Sequence, residues 1–232
     1  ELKPNRIILI DYPGFNLRLA KKVAALKAPI TYFVLPQLWA WKEKRIKVFQ
    51  KYIDQSLSIF PFEKNWFETR SVLTSFVGHP FSDIVGPETN KAQFLSKHGL
   101  SKSDDVLILL PGSRQQEIDR LWPIYCRTID MLRLEIPELK IIVGKASGVI
   151  IPKVIKGLLY EEQDVRAAMA YGTVALTASG TATLECAVLD TPEVVCYKLS
   201  ILSGQIAKRI NRSPFISMAN LIVGRKIVPE FL

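Results

Sequence analysis

The chain has 232 residues, 48% of them hydrophobic, and a net charge of +9, enough for one large or two small domains with a buried core. That charge implies an anionic partner. Without zinc-finger spacing, an RNP-like aromatic strand or an arginine tract, nucleic acid ranks behind a phospholipid surface or a phosphorylated small molecule. Two histidines and three cysteines without CxxC spacing argue against a metal centre and for a reduced, cytosolic protein. No apolar run reaches the ~20 residues of a membrane span, and the N-terminus is not a signal peptide.

Residues 7–11 are an apolar run ended by an acid, the pattern of a central parallel strand. Tyr12-Pro13-Gly14-Phe15-Asn16 is a turn by its Pro-Gly pair. Asn16 is then placed to cap a helix over 17–26 that turns Arg18, Lys21 and Lys22 outward. Ligands of open α/β sheets bind beyond the carboxyl ends of strands, so Asp11 stands where chemistry is usual; a turn-capping Asp would look the same. The next strand, 30–34, runs into Pro36-Gln37-Leu38-Trp39-Ala40-Trp41, followed by Lys42, Lys44 and Arg45. Indoles beside cations suit a lipid–water interface. A partly buried pair under a solvated cationic face fits equally.

A helix over 46–52, a strand over 56–60 and a short helix opened by Pro61 follow. Next comes a strand over 72–77, ended by Gly78-His79-Pro80. His79, directly before a proline, is held extended and reads as a hinge or linker. Gly86-Pro87-Glu88-Thr89-Asn90 is polar and turn-rich, and sets the expected boundary between domains 1–85 and 86–232.

The βα rhythm then restarts. A helix over 91–98 closes on Gly99, and the buried strand 106–110 runs into Pro111-Gly112-Ser113-Arg114. Arg114 can offer a planar fork of donors to a phosphate. Ser113 with Gln116 makes a capping box, which is also a purely structural use of this turn. A helix over 124–134, a strand over 139–143, a strand over 158–160 and a helix over 164–171 follow. Residues 144–157 are short and irregular for a crossover helix.

The strand ending at Leu176 leads through Thr177-Ala178-Ser179-Gly180-Thr181 into a helix. Unpaired N–H groups and the positive end of the macrodipole suit a phosphate there, and Ser179, Gly180 and Thr181 add close approach and hydroxyls. Glu185, one turn on, can accept hydrogen bonds from a ribose. A Gly-containing turn with a surface Glu reads the same. After a strand over 193–197 come a basic helix with Lys208, Arg209 and Arg212, then Asn220, a ligand-binding amide or a turn residue. Pro229-Glu230-Phe231-Leu232 reads as the inside of a helix, and both ends suggest part of a longer protein. Two α/β domains facing each other across a ligand cleft are expected.

In order along the chain, Ile10-Asp11-Tyr12-Pro13-Gly14-Phe15-Asn16, Pro36-Gln37-Leu38-Trp39-Ala40-Trp41, Phe60-Pro61-Phe62-Glu63-Lys64 and Val77-Gly78-His79-Pro80 resemble stretches of the bacterial lipid-A-disaccharide synthases. So do Leu110-Pro111-Gly112-Ser113-Arg114, Ala178-Ser179-Gly180-Thr181-Ala182-Thr183-Leu184-Glu185 and Asn220-Leu221-Ile222-Val223-Gly224-Arg225. The resemblance covers nearly the whole chain. It lacks the family's N-terminal glycine-rich βα turn and its C-terminal helices, and the crossover after Val143 is shorter.

The resemblance implies an α/β fold of GT-B type, two Rossmann-like domains with parallel sheets facing across a cleft. It implies an inverting glycosyltransferase that joins UDP-2,3-diacylglucosamine to 2,3-diacylglucosamine 1-phosphate (lipid X), giving the β-1,6 disaccharide 1-phosphate and UDP. Asp11 would be the general base. Gly112, Ser113, Arg114, Ser179, Gly180, Thr181 and Asn220 would hold the UDP and Glu185 its ribose, without metal or cofactor. Trp39, Trp41, Lys42 and Arg45 would serve the acceptor side and dock on the anionic cytoplasmic face of the inner membrane. A homodimer is implied where the C-terminal helices exist. The same shape serves the lipid II-forming transferase and sugar epimerases, and a non-catalytic lipid- or nucleotide-binding remnant is a further alternative.

Overall fold

The computed structural model describes residues 3–83, 86–198 and 215–232; the expected basic helix with Lys208, Arg209 and Arg212 lies outside them. The chain divides into two compact units, one formed by the chain up to Asp83 and one by the remaining described residues.

The first unit is a four-stranded parallel sheet in the order β1-β2-β3-β4, made of β1 (Ile7–Ile10), β2 (Ile30–Phe33), β3 (Gln55–Ser58) and β4 (Thr74–Phe76). Helices α1 (Pro13–Val23), α2 (Ile46–Tyr52) and α3 (Pro61–Glu68) connect them. All three crossovers step the same way, so right-handed connection puts the helices on one face. There Leu9, Leu17, Tyr32, Phe49 and Phe67 are buried together, with Tyr32–Phe49 and Phe49–Phe67 ring centroids 5.0 and 5.3 Å apart. Among the described residues β1 pairs with β2 alone, and Ile8 and Ile10 on the face opposite the helices are 60% and 58% exposed.

The first helix also starts earlier than expected. Pro13 occupies its first turn, where a missing N–H costs nothing, and a short 3-10 turn (Ala24–Leu26) follows its end.

The second unit is a six-stranded parallel sheet in the order β10-β9-β8-β5-β6-β7. Its strands are β5 (Val106–Leu110), β6 (Lys140–Gly144), β7 (Leu159–Glu161), β8 (Val174–Ala178), β9 (Glu193–Cys196) and β10 (Glu230–Phe231). Helices α4 (Lys91–His98), α5 (Gln115–Glu135), α6 (Val165–Tyr171), α7 (Thr181–Val188) and α8 (Met218–Val223) complete it. The chain builds outward from β5 to β7, then returns to lay β8 on the other side of β5. The β5/β8 junction is therefore a topological switch point, where α/β sheets form a ligand crevice.

Two expectations change in this unit, and a third reading holds. α5 is one 21-residue helix running through Pro123. An internal proline costs about 3 kcal/mol, and burial of Ile118, Leu121, Trp122, Tyr125 and Ile129 on one face outweighs it at about 1.5–3 kcal/mol each. The β6–β7 crossover has no helix, in keeping with its short, irregular sequence. Its backbone is tied to α5 instead: Gln115 exchanges two 2.9 Å hydrogen bonds with the Ile150 backbone, and Trp122 Nε1 and Arg133 Nη2 donate to the carbonyls of Lys153 and Lys156. Val149, Ile151 and Leu158 pack into the core below. Finally, residues 230–231 are not helical. They form an edge strand whose neighbours Tyr197 and Val195 donate to the Phe231 and Pro229 carbonyls at 2.9 Å, and an edge tolerates Pro229.

Candidate functional site

At the switch point of the second unit lies a cavity of about 420 Å³, opening where β5, β6 and β8 end and α5 and α7 begin. Gly112, Ser113, Arg114, Ser179, Gly180, Thr181 and Glu185 all line it. Gly112 has φ +125°, and a Cβ there would stand 2.8 Å from both Cβ and Oε2 of Glu117. Gly144 forms part of the wall, and a Cβ would meet Leu110 Cδ2 at 2.6 Å. Glycine at these two positions lets backbone, not side chain, border the space.

The turn before α5 is braced one residue later than expected. The helix caps at Arg114 rather than Ser113, and Glu117 rather than Gln116 reaches back. Its Oε2 accepts from the Ser113 N–H and its Oε1 lies 3.3 Å from Arg114 Nη1. The Arg114 side chain remains 81% exposed, so its other donors are open to a ligand.

At the start of α7 the N–H groups of Gly180, Thr181 and Ala182 meet no acceptor among the described residues, as helix geometry requires of a first turn. Ser179 differs from expectation. Its N–H donates to the Cys196 carbonyl at 3.0 Å and its hydroxyl to the Ile216 carbonyl at 2.7 Å, so both its protons are spent and it can only accept. Glu185 faces the cavity with Oε2 3.4 Å from Arg166 Nε.

Asn220 is corrected outright. Fully buried, it donates through Nδ2 to the Val228 carbonyl and Glu230 Oε1 and accepts at Oδ1 from Ile227 and Val228 N–H, at 2.7–3.0 Å. All four of its hydrogen-bonding positions are used. It ties α8 to the approach to β10 and has nothing left for UDP.

In the first unit Asp11 lies just past β1, exposed, at φ +44°. Its carboxylate has no hydrogen bond among the described residues. Asn16 is not the cap of α1, because Tyr12 holds that place. It points back and donates both amide protons, to the Ile10 and Asp11 carbonyls at 2.9 and 2.8 Å. The Tyr32 hydroxyl donates to the same Asp11 carbonyl at 2.6 Å. Burial first, then the charge of Asp11, raises the Tyr32 phenol well above its ordinary range, while Arg45 opposes them. Arg45 thus acts electrostatically on this turn, from its place at the N-cap of α2.

The two tryptophans part ways. Trp39 is half-buried, its Nε1–H donating to Glu63 Oε1 at 3.1 Å and its ring edge-on to Phe62. Trp41 is 45% exposed with Lys42 Nζ 4.3 Å above its ring. Only the second pair keeps the geometry expected of an interface. His79 is held by its Nδ1, which accepts from Phe81 N–H at 3.1 Å, and by ring contacts with Phe60 and Phe81. Among the described residues no group of His, Cys, Asp or Glu gathers to hold a metal, and no helix is long and apolar enough to cross a membrane.

Nothing in the sequence singles out Glu63, Glu117 or Tyr32, or marks Asn16 as a clamp. The available signal was local for Glu117, an acid three residues past the true cap. For the others it lay only in the folded neighbourhood.

Two parallel sheets, one with a glycine-bordered cavity and a free helix start at its switch point, define an α/β protein of the GT-B type. Solved structures agree on the fold. An S. aureus MnaA–UDP complex matches with TM-score 0.61 at 13% identity, covering 96% of this chain and 66% of that one. A Neisseria meningitidis UDP-GlcNAc 2-epimerase bound to UDP-GlcNAc matches with TM-score 0.59 at 12% identity, over 96% and 67%. The chain belongs to the lipid-A-disaccharide synthetase family, whose model matches residues 1–232. Lipid-A-disaccharide synthase of Granulibacter bethesdensis is 35% identical over 99% of the chain, and lipid-A-disaccharide synthase 1 of Legionella pneumophila 39% identical over the same share. The chain spans 61% and 62% of the length of these two relatives.

Proposed function

We propose that the protein carrying this chain transfers 2,3-diacylglucosamine from UDP to lipid X with inversion, giving the β-1,6-linked lipid A disaccharide 1-phosphate and UDP. The observation that carries this reading is the row of Gly180, Thr181 and Ala182 N–H groups, unpaired among the described residues, in one cavity with the open guanidinium of Arg114. Such donors suit a diphosphate in the ground state and stabilise it better as it leaves with added charge, each worth about 3–4 kcal/mol where water is excluded. In this reading Glu185 accepts from the ribose. Ser179 borders the site without donating to it, and Asn220 serves the fold instead.

Inversion requires the acceptor 6-hydroxyl to attack the anomeric carbon on the face opposite UDP while losing its proton. Asp11 takes that proton, the new bond forms between O6 and C1, and the bond from C1 to the UDP oxygen breaks. Arg18, Lys21 and Lys22 on α1, with the Lys42–Trp41 pair, draw the first unit to the anionic cytoplasmic face of the inner membrane, where both diacyl substrates reside.

Incubation of the protein with UDP-diacylglucosamine and lipid X, followed by mass spectrometry, tests the reading. Equal amounts of UDP and disaccharide 1-phosphate are expected. An epimerised UDP-sugar, free sugar, or tight binding without turnover would overturn it.

A further inference from the structure

Three residues other than glycine stand in the left-handed region where β1 and β2 end: Asp11 at φ +44°, Tyr12 at +41° and Val34 at +60°. The two strands are adjacent and Ile10 pairs with Phe33, so the three sit together. Left-handed backbone is costly for any residue with a Cβ and most so for a β-branched one. It persists only where the surroundings over-determine it.

Here the restraints are visible. The Asp11 N–H donates to the Phe33 carbonyl at 2.9 Å. The Asp11 carbonyl receives both the Tyr32 hydroxyl and one Asn16 amide proton, and the second Asn16 proton holds the Ile10 carbonyl. Both side chains are buried, which leaves neither for a ligand. Two polar groups have been carried out of water to fix the backbone of one residue, and that residue's only free part is an exposed carboxylate. A turn needing stability alone would place glycine at these positions.

We propose that Asn16 and Tyr32 are positioning residues for the Asp11 carboxylate: they lock Asp11 in its strained conformation, so that its side chain leaves the end of β1 in one direction. The inference rests on the reading of Asp11 as general base. Tyr32→Phe removes one hydroxyl and keeps the packed ring; Asn16→Ala removes the anchor of two carbonyls. For Tyr32→Phe, kcat is expected to fall about tenfold, and for Asn16→Ala further, with KM for both substrates and UDP affinity within about twofold. A merely structural role would not produce that split.

Combining each change with Asp11→Asn gives the sharper result. The double variants are expected to be no slower than Asp11→Asn alone, since residues acting through one group are not additive. Unchanged kcat in the folded Tyr32→Phe and Asn16→Ala proteins, or losses that multiply with that of Asp11→Asn, would overturn the proposal while leaving the base reading intact. Full turnover by Asp11→Asn itself would remove both.

Discussion

Glu63 is fully buried with both oxygens engaged. Its Oε2 accepts from the Ser58 hydroxyl at 3.0 Å and its Oε1 from Trp39 Nε1–H at 3.1 Å. The Ser58 oxygen also lies 2.6 Å from the Phe60 carbonyl and accepts the Phe60 N–H at 3.1 Å. Burial pushes the Glu63 carboxyl up to about 7 against the opposing bonds from Trp39, Ser58 and Phe60. Glu193 is buried with one oxygen unpartnered, and burial raises it to about 7 as well. Burial would also raise Glu161, but Lys97, His98 and the N–H groups of Asp164 and Gln163 outweigh it and bring it down to about 2.

The signs follow. A carboxyl raised in the folded state contributes stability that is complete below about pH 4.5 and is lost as pH rises through 7, up to about 3 kcal/mol for a shift of this size. Glu161 contributes above about pH 4.5 and loses its share as pH falls toward 2. Glu63→Gln keeps the shape with a side chain that cannot ionise. Between pH 5 and 8 its thermal midpoint is expected to fall less than that of the unaltered protein; parallel calorimetric curves would contradict this.

At this scale residue type was legible and residue use was not. Ser179 and Asn220 carry groups suited to phosphate, yet their protons are spent on Cys196, Ile216, Val228 and Glu230. Those partners lie 8–37 residues away for the side-chain bonds, beyond any local pattern.

Elements built on short-range rules came through the reading well. α2 and α4 stand at the expected residues, α4 with Asn90 as cap and Gly99 in the left-handed position at its end, because caps and apolar spacing are written locally. α5 did not come through whole, since Pro123 reads as a stop and only the buried face beneath it carries the helix on. The β6–β7 crossover reads as too short for a helix, and none forms; what holds it, its bonds to Gln115, Trp122 and Arg133, exists only after folding.

The turn before α5 yields a contrast. Gly112→Ala forces a Cβ against Glu117, so both UDP affinity and thermal midpoint are expected to drop. Arg114→Ala is expected to weaken UDP by about 10–100-fold, the range for a bond to a charged group, and to leave the midpoint unmoved because the side chain is exposed. Calorimetry and UDP titration on the two variants check this, and unaltered UDP affinity in Arg114→Ala would return that arginine to structure.

For the whole molecule, the ordered set of matching stretches was the most legible feature, because it needs no single motif to be specific. Net charge spoke to partners, not fold. If the basic surface docks on anionic lipid, binding to phosphatidylglycerol vesicles should weaken as salt rises, and Lys42→Glu should weaken it further. Sedimentation that ignores both would remove the membrane from the proposal. The most direct measurement is the rate of disaccharide formation by Asp11→Asn together with its affinity for UDP. A loss of about 10²–10⁴-fold in rate with UDP affinity unchanged is the expected result; wild-type turnover, or loss of UDP binding instead, would contradict it.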